Sequence, residues 1–512
     1  MTTQDTRAET ATGPGGDYER LPYLSLPFAY SQPAHLAALA ALHGLTAPAA
    51  DSARVLELGC ASGGNIVPLA ARFPKARFLG LDLSERQIAD GRRKIAALGL
   101  TNIELRQGDI AAVALPKGSF DYVICHGVYS WAPPAVQDAI LRLSGDVLSE
   151  HGMAAVSYNV LPGWHLRSVL RDIFLLHAGK AGSPQDRVAA VRELLPKLAA
   201  AAQPSNPYGH LISHEAKLLA KMPSSYILGE FLADYNLPCT FQDFSTRASG
   251  HGLNYLCEAD LGATARSLLK PDDRRVIAEM GGNDVHRTEL YLDMFSGRPF
   301  RRSILVKPTE FKRIDPERLG SLHVSCNLKP NPAKTTDAIA AFTDGRGQTV
   351  STEVSSISAA LRKLAAAYPG SVAVAELAAE GRERNAVMRA LVNLAAEGRA
   401  TLSTLPLRVG RAADAKPKAW PLARAEAAAG LPGVTSLRHV TVALSKAERA
   451  IAAQLDGARD RIELTQGVIA AIERGELAGL DAVAGRSSAA VAAKLLDDTL
   501  QHLSDCAVLA AD

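Results

Sequence analysis

The sequence predicts an α/β fold, in which an open parallel sheet covered by helices on both faces is followed by a mainly helical C-terminal region. Three observations predict it. Short apolar runs alternate with segments of helical spacing between residues 54 and 160. A glycine-containing loop, GCASGGN, sits where the first strand turns into the first helix. The chain is rich in alanine and poor in aromatic residues, which favours helix over much of its length.

Residues 1–17 are polar and glycine-rich, and a disordered tail is expected over residues 1–20. An aromatic lead-in beginning at Tyr23 takes helical spacing in its second half. RVLELG at 54–59 reads as a buried strand, and NIVPLAARF as the start of a helix. ARFLGLDL at 76–83 is the second strand, and Ser84 with Gln87 forms a capping box for a helix ending near Gly99. IELRQGD at 103–109 and FDYVICHG at 120–127 follow as strands. Pro133 and Pro134 open a helix through about Leu148, and GMAAVSYNV at 152–160 is a fifth strand. Residues 165–235 read as mostly helical, broken at QPSNPYGH. GLNYLCEAD at 252–260 and RPFRRSILVKP at 298–308 read as later strands able to complete the same sheet. Residues 356–407 run helix, turn, helix, helix and then a strand pair within RATLSTLPLRV, an order like a winged helix. Residues 445–477 read as a second helical unit. The expected domains are a core at 21–180, an insert at 181–310 completing the sheet, a winged-helix-like domain at 311–410 and a helical module at 411–512.

Composition narrows the function. The 512 residues carry a net charge of +3, and 13 basic residues stand against 15 acidic ones in the first 160. Nucleic acid is therefore not the favoured partner. The helix NAVMRALVNLAAEG, which a winged helix would present to DNA, offers only Arg389 as an obvious cation. Six scattered cysteines suggest neither a disulfide framework nor a zinc site, and no metal site is expected. No apolar run reaches about 18 residues and no signal peptide is visible, so a cytoplasmic protein without membrane insertion is expected.

The chemistry concentrates in VLELGCASGGN. Glu57, Gly59 and Gly63 lie at the strand-to-helix turn, where glycine lets the backbone approach a ligand. Taken alone, this loop also fits a dinucleotide fingerprint or a tight turn with no ligand. Its company decides. Asp82 ends the second strand, where an acid can accept from both ribose hydroxyls, and Asp109 follows the third, where an acid can accept from an adenine amino group. FDYVICHGVYSW then sets His126, Gly127, Tyr129, Ser130 and Trp131 at the carboxyl end of the fourth strand, the edge where open α/β sheets bind ligands.

With these residues the sequence resembles the class I S-adenosylmethionine-dependent methyltransferases. The resemblance implies a Rossmann-like seven-stranded methyltransferase domain with a helical insertion and S-adenosylmethionine as cofactor. The glycine loop would approach the methionine part, Asp82 the ribose and Asp109 the adenine. One departure is Ala61, which occupies the usual third glycine position of the loop. The stretches CHGVYSWAPPAVQDAIL, FLADYNLPCTFQDFSTRASGHGLNYLCEAD and SLRHVTVALSKAERAIAAQLDGARDRIEL narrow the likeness to bacterial methyltransferases with a methyltransferase regulatory domain. The rickettsial protein-lysine methyltransferases that modify an outer-membrane protein belong to this group. They imply a protein partner offering lysine side chains. The alternatives left open are a small-molecule or RNA acceptor, or a cofactor-sensing interaction protein without turnover.

The cofactor-binding set expected from this reading is Tyr30, Glu57, Gly59, Cys60, Ala61, Gly63, Asn65, Asp82, Leu83, Gln87, Asp109, Ile110 and His126. The catalytic set is His126, Tyr129, Trp131, Asn159 and Trp164. Tyr129 and Trp131 would wall an alkylammonium through cation–π attraction, while His126 would take a proton or touch the cofactor. Asn159, Trp164 and Arg167 would line the acceptor channel. Tyr30 and His35 lie in a lead-in able to close over the cofactor. Methyl transfer is an in-line displacement that needs alignment, exclusion of water and a neutral nucleophile, and neither a covalent intermediate nor a metal is required.

Overall fold

A computed structural model describes residues 24–179, 182–203, 205–261, 270–310, 314–377, 381–477 and 488–511. The expected N-terminal tail and Tyr23 lie outside them. The five expected strands form as β1 (Arg54–Leu58), β2 (Arg77–Asp82), β3 (Ile103–Gln107), β4 (Phe120–Cys125) and β5 (Leu148–Asn159). Between them run α2 (Ile66–Arg72), α3 (Glu85–Ala97) and α4 (Pro134–Val147), while the lead-in supplies α1 (Pro33–Leu42). Ser84 caps α3 by accepting from the backbone N–H of Gln87, and Pro134 occupies the first turn of α4.

Two later strands, β6 (Asn254–Glu258) and β7 (Phe300–Val306), complete a seven-stranded sheet of order β3-β2-β1-β4-β5-β7-β6. This corrects the expectation of a purely parallel sheet, because β7 runs antiparallel to both β5 and β6. Apolar runs report that a strand is buried but carry no information about its direction. Both faces are covered, as the sequence requires. Val55, Tyr122 and Ile124 face a core that includes Leu36 and Leu39 of α1, whereas Leu56, Val123 and Cys125 face Ile140, Phe241 and Phe244. Neighbouring residues on one strand thus serve opposite layers.

Between β5 and β6 the chain makes α5 (His165–Ala178), α6 (Pro184–Ala201), α7 (Pro207–Leu219), the short α8 (Ser224–Ile227) and α9 (Phe241–Gly250). The first of these helices share a separate core around Phe174, Val191, Ile212 and Phe231. Helices α10 (Pro271–Gly281) and α11 (Val285–Ser296) lead into β7.

Further along, a short strand β8 (His323–Cys326) lies between β12 (Val372–Ala373) and β13 (Ala400–Ser403), beside α12 (Ser355–Ala367), α13 (Val374–Leu377) and α14 (Arg382–Ala396). RATLSTLPLRV therefore contributes one strand rather than the expected pair, because β8, from outside that segment, supplies the antiparallel partner. Strands β9 (Leu328–Pro330), β10 (Ala340–Asp344) and β11 (Thr349–Thr352) form a small separate sheet. The last module holds α15 (Pro421–Ala428), a hairpin of β14 (Gly433–Thr435) and β15 (Thr441–Ala443), then α16 (Lys446–Ala452), α17 (Arg461–Glu473) and α18 (Ser488–Asp505). Among the described residues no helix is long and apolar enough to cross a membrane, and no cluster of three or more metal-ligating side chains exists.

The far edge of the sheet is held by charge. Arg301 on β7 is fully buried and pairs with Glu258 of β6 at 2.7 Å, and with Glu289 and Asp293 of α11 at 3.1 and 2.9 Å. Arg298 adds a second cation at 3.2 Å from Asp293. Removing one partner of such a cluster leaves buried charge uncompensated. Arg301→Ala is expected to cost about 3–5 kcal/mol, read as a lowered denaturant midpoint.

Candidate active site

The carboxyl ends of β1, β2 and β3 build one half of the site. Gly59 leaves β1 at φ +73°, and a Cβ there would lie 2.2 Å from Val128 Cγ2, so only glycine lets the loop after β4 pack this closely. Ala61 follows at φ +47°, in the left-handed region that disfavours a side chain. The position where the resembled family has glycine is thus one where the backbone itself favours it. Cys60 is buried, and burial pushes its thiol well above the ordinary range. Gly63, at φ +76°, packs against Val67 and Leu105.

Asp82 organises this loop as well as facing the rim. Its Oδ2 accepts from the Ala61 N–H at 2.8 Å, and its Oδ1 from the Ser84 N–H at 2.9 Å. The Asp82 carbonyl accepts from the Gly108 N–H at 2.9 Å, which draws the end of β3 alongside β2. Asp109 then stands exposed, with Oδ1 accepting from the Ala111 N–H at 2.8 Å. Leu83 is 48% exposed on the same rim, whereas Ile110 and Gln87 are buried beneath it.

Glu57 lies between the two halves of the site and is buried. Its Oε1 accepts from Asn65 Nδ2 at 2.8 Å, and its Oε2 has no hydrogen-bond partner among the described residues. Burial pushes this carboxyl up to about 8; the Asn65 hydrogen bond works against that shift, and the nearby Asp82 charge adds to it. The thiols of Cys60 and Cys125 and the phenol of Tyr30, which also face Glu57, are kept protonated by burial. A buried carboxyl oxygen without a partner is open to a water or to a ligand group.

The other half lies beyond β4. His126 packs against Phe28 with ring centroids 3.8 Å apart, and against Phe300 edge-on at 6.1 Å. A hydrogen bond joins the Tyr30 hydroxyl and His126 Nδ1. The Arg302 guanidinium lies 4.8 Å from the Tyr30 ring and 5.5 Å from the Phe300 ring. Burial, helped by the Arg302 charge, pushes the imidazole down to about 3, so it is neutral at physiological pH. Phe28, Phe300 and Arg302 were missed in the sequence. The latter two lie on β7, whose position beside β5 no local pattern reveals.

Several expected site residues serve other ends. Tyr129 is fully buried between Tyr158 and Phe244, so it is core rather than a wall open to an alkylammonium. Trp164 is likewise buried, with the Arg167 guanidinium 5.6 Å above its ring. Arg167 is bound by the Tyr226 hydroxyl at 3.0 Å and by Glu215 and Glu230 at 3.4 and 3.5 Å, which holds it inside the helical insert instead of an acceptor channel. His35 bridges the Leu402 and Ala259 carbonyls at 2.9 and 2.7 Å, a stitch between α1, β13 and the end of β6 rather than part of a lid. Asn159 is buried and donates to Asn236 at 3.0 Å, while its Oδ1 has no partner among the described residues. Its backbone N–H is held by Ser130 Oγ at 2.8 Å. Trp131 is half-buried beside this group, and Gly127 donates its N–H to Ser157 Oγ at 2.9 Å.

The chain is similar to known proteins along most of its length. A methyltransferase domain model matches residues 55–152, a predicted methyltransferase regulatory domain model residues 223–307, and a model described as the PKMT C-terminal winged helix domain residues 415–508. The last match falls on the segment read from sequence as a second helical unit. An uncharacterised protein of Rickettsia prowazekii is 38% identical over 290 residues, 56% of this chain and 52% of that protein, so the chain matches about half that relative's length. A second protein of the same organism is 34% identical over 232 residues, 45% of this chain and 93% of that protein. The structure of PKMT2 from Rickettsia typhi in complex with AdoHcy shares 25% identity at a TM-score of 0.83, covering 96% of this chain and all of that one.

S-adenosylmethionine is the cofactor these matches indicate, and the residues fit it. Asp82 and Asp109 carry carboxylate oxygens that suit a nucleoside's hydroxyls and amino group, and the unpartnered Glu57 oxygen suits a donor. Two outcomes follow. Ala61→Gly should raise stability by up to about 1 kcal/mol by relieving the left-handed alanine, read in the thermal midpoint. Binding the cofactor's α-ammonium favours the ionised Glu57, so cofactor affinity should rise with pH toward about 8 and fall above it as the α-ammonium, with a pKa of about 8, loses its own proton. Calorimetric titrations between pH 6.5 and 9 check this, and Glu57→Gln should flatten the rise.

Proposed function

We propose that this chain, which belongs to the class I S-adenosylmethionine-dependent methyltransferases with a methyltransferase regulatory domain, methylates lysine side chains of a protein. The observation that carries the acceptor class is the group formed by Phe28, Tyr30, Phe300, His126 and Arg302. Its aromatic faces suit the methylene stem of a lysine, and the Arg302 charge above them favours the neutral amine over the ammonium.

A lysine with a pKa of about 10.4 must lose its proton before its nitrogen can attack. An amine seated beside His126 meets the same desolvation and the same Arg302 charge that depress the imidazole, and both drive it neutral. An imidazole held near 3 is a poor base at neutral pH. His126 therefore orients the amine rather than taking its proton, with Tyr30 fixing its ring. Bound S-adenosylmethionine supplies a methyl carbon already activated by a sulfonium. The protein's work is alignment, exclusion of water by the lead-in, and delivery of a neutral nitrogen. The likeness to PKMT2 over nearly the whole chain supports the same reading.

The test uses methyl-labelled cofactor with bacterial protein extract and with the small-metabolite fraction. The expected product is protein-bound label that survives mild base and elutes as Nε-methyllysine after acid hydrolysis. Base-labile label, or label confined to small molecules, would overturn the lysine assignment.

A further inference from the structure

The C-terminal module sends one side chain into the hydrogen-bond chain behind the cofactor site. The turn between β14 and β15 closes through Ser436 N–H to the Val440 carbonyl at 2.9 Å, and puts His439 at φ +61°. His439 is almost fully buried, and its Nε2 lies 2.8 Å from Asn65 Oδ1. The two residues are 374 positions apart in sequence.

Donor accounting fixes the orientation of the Asn65 amide. The backbone N–H of Phe28, which can only donate, points at Asn65 Oδ1 at 3.0 Å, so that atom is the amide oxygen. Ser31 Oγ has a single proton, and the Phe28 carbonyl at 2.8 Å takes it in preference to Asn65 at 3.0 Å. His439 must then carry its proton on Nε2 and donate it to Asn65. Burial and the Arg72 charge push this imidazole down to about 3, so it is neutral and has one such tautomer to offer. With its oxygen occupied from the lead-in and from the C-terminal module, Asn65 turns its amide nitrogen to Glu57 Oε1. That leaves Glu57 Oε2 as the carboxyl oxygen without a hydrogen-bond partner among the described residues.

The turn is held against both neighbours. Arg72 of α2 donates to the Leu437 carbonyl at 2.8 Å and to Gln32 at 2.9 Å. Arg438 donates to Ser325 on β8 at 2.7 Å. A left-handed, buried histidine costs backbone strain and desolvation, and a turn needing only packing would be better served by glycine or asparagine.

We infer that His439 is a positioning residue of the cofactor site, setting the orientation of Asn65 and through it the carboxylate of Glu57, so that the seat of the C-terminal module governs cofactor affinity. The inference rests on the assignment of Glu57 to the cofactor. The full-length protein and its His439→Ala, His439→Gln and Glu57→Gln variants are titrated calorimetrically with S-adenosylhomocysteine, and the cofactor KM and kcat are measured in parallel. His439→Ala should weaken binding about tenfold and raise KM with little change in kcat, because Asn65 Oδ1 is then left with its lead-in partners, Phe28 N–H and Ser31 Oγ, and the amide is held less firmly toward Glu57. His439→Gln, whose Nε2 can reach the same oxygen, should restore affinity to within about threefold. Unchanged affinity in His439→Ala, or equal loss in both histidine variants together with a lowered thermal midpoint, would overturn the inference. If Glu57→Gln also binds normally, the cofactor assignment itself fails, and this inference fails with it.

Discussion

Five parallel strands that end on a common edge are the constraint on which the rest of the site depends. Because β1 to β5 run the same way, Glu57, Asp82, His126 and Asn159, each at or just past a strand end, arrive at one rim from distant parts of the sequence. The strand order then separates their roles. Asp82 and Asp109 lie toward β2 and β3, the aromatic group lies toward β4 and β7, and Glu57 on β1 stands between them. An in-line displacement needs the acceptor and the leaving group on opposite sides of the carbon that moves. In the proposed reading, nucleoside and acceptor fall on opposite flanks of β1, which meets that need before any side chain is chosen.

Burial decides what those side chains can do. Glu57, His126, Tyr30 and His439 are all driven toward their neutral forms by desolvation, each within a few ångströms of groups that fix where its hydrogen bonds go. Such a site holds its polar atoms in place, and a buried oxygen left without a partner there is costly. Glu57 Oε2 and Asn159 Oδ1 are two such oxygens, one on each side of β4. The buried charges around Arg301 differ, since they pair with one another at the far edge of the sheet, where they hold β6 and β7 to α11.

Much of this was legible in the sequence where the signal is local. Strand-length apolar runs, the capping serine before α3, the prolines before α4 and the acids after β2 and β3 each express a rule confined to a few residues. The signal at Ala61 was also local, since a departure from glycine marked the one loop position with a left-handed backbone and a side chain. What failed was the direction a side chain takes. Tyr129 and Trp131 are two residues apart and were read alike, yet one is enclosed by Tyr158 and Phe244 and the other is half-buried at the rim. Trp164 and Arg167 were read as channel residues because they follow a strand, but the acids that claim Arg167 come from α7 and from residue 230. Arg302, Phe300 and His439 carried no local signal at all. Their relevance comes from contacts across 174 positions (Phe300 to His126), 272 (Arg302 to Tyr30) and 374 (His439 to Asn65), which only the folded chain brings together.

The lead-in shows why the later modules cannot be regarded as appendages. Residues 25–31 cross the glycine loop, with Ser25 Oγ accepting from the Gly64 N–H at 2.7 Å and the Phe28 N–H donating to Asn65. A Cβ at Gly64 would lie 2.1 Å from the Ser25 carbonyl, so the crossing is as close as the backbones allow. A segment this short and irregular has little core of its own and is held only by what lies on either side. On one side is the glycine loop. On the other are Arg302 of the insert region, above Tyr30, and the 435–440 turn of the C-terminal module, reaching Gln32 and Asn65. The same few residues of the lead-in are therefore clamped between the sheet and two modules added after it, and the order of the lead-in depends on all three.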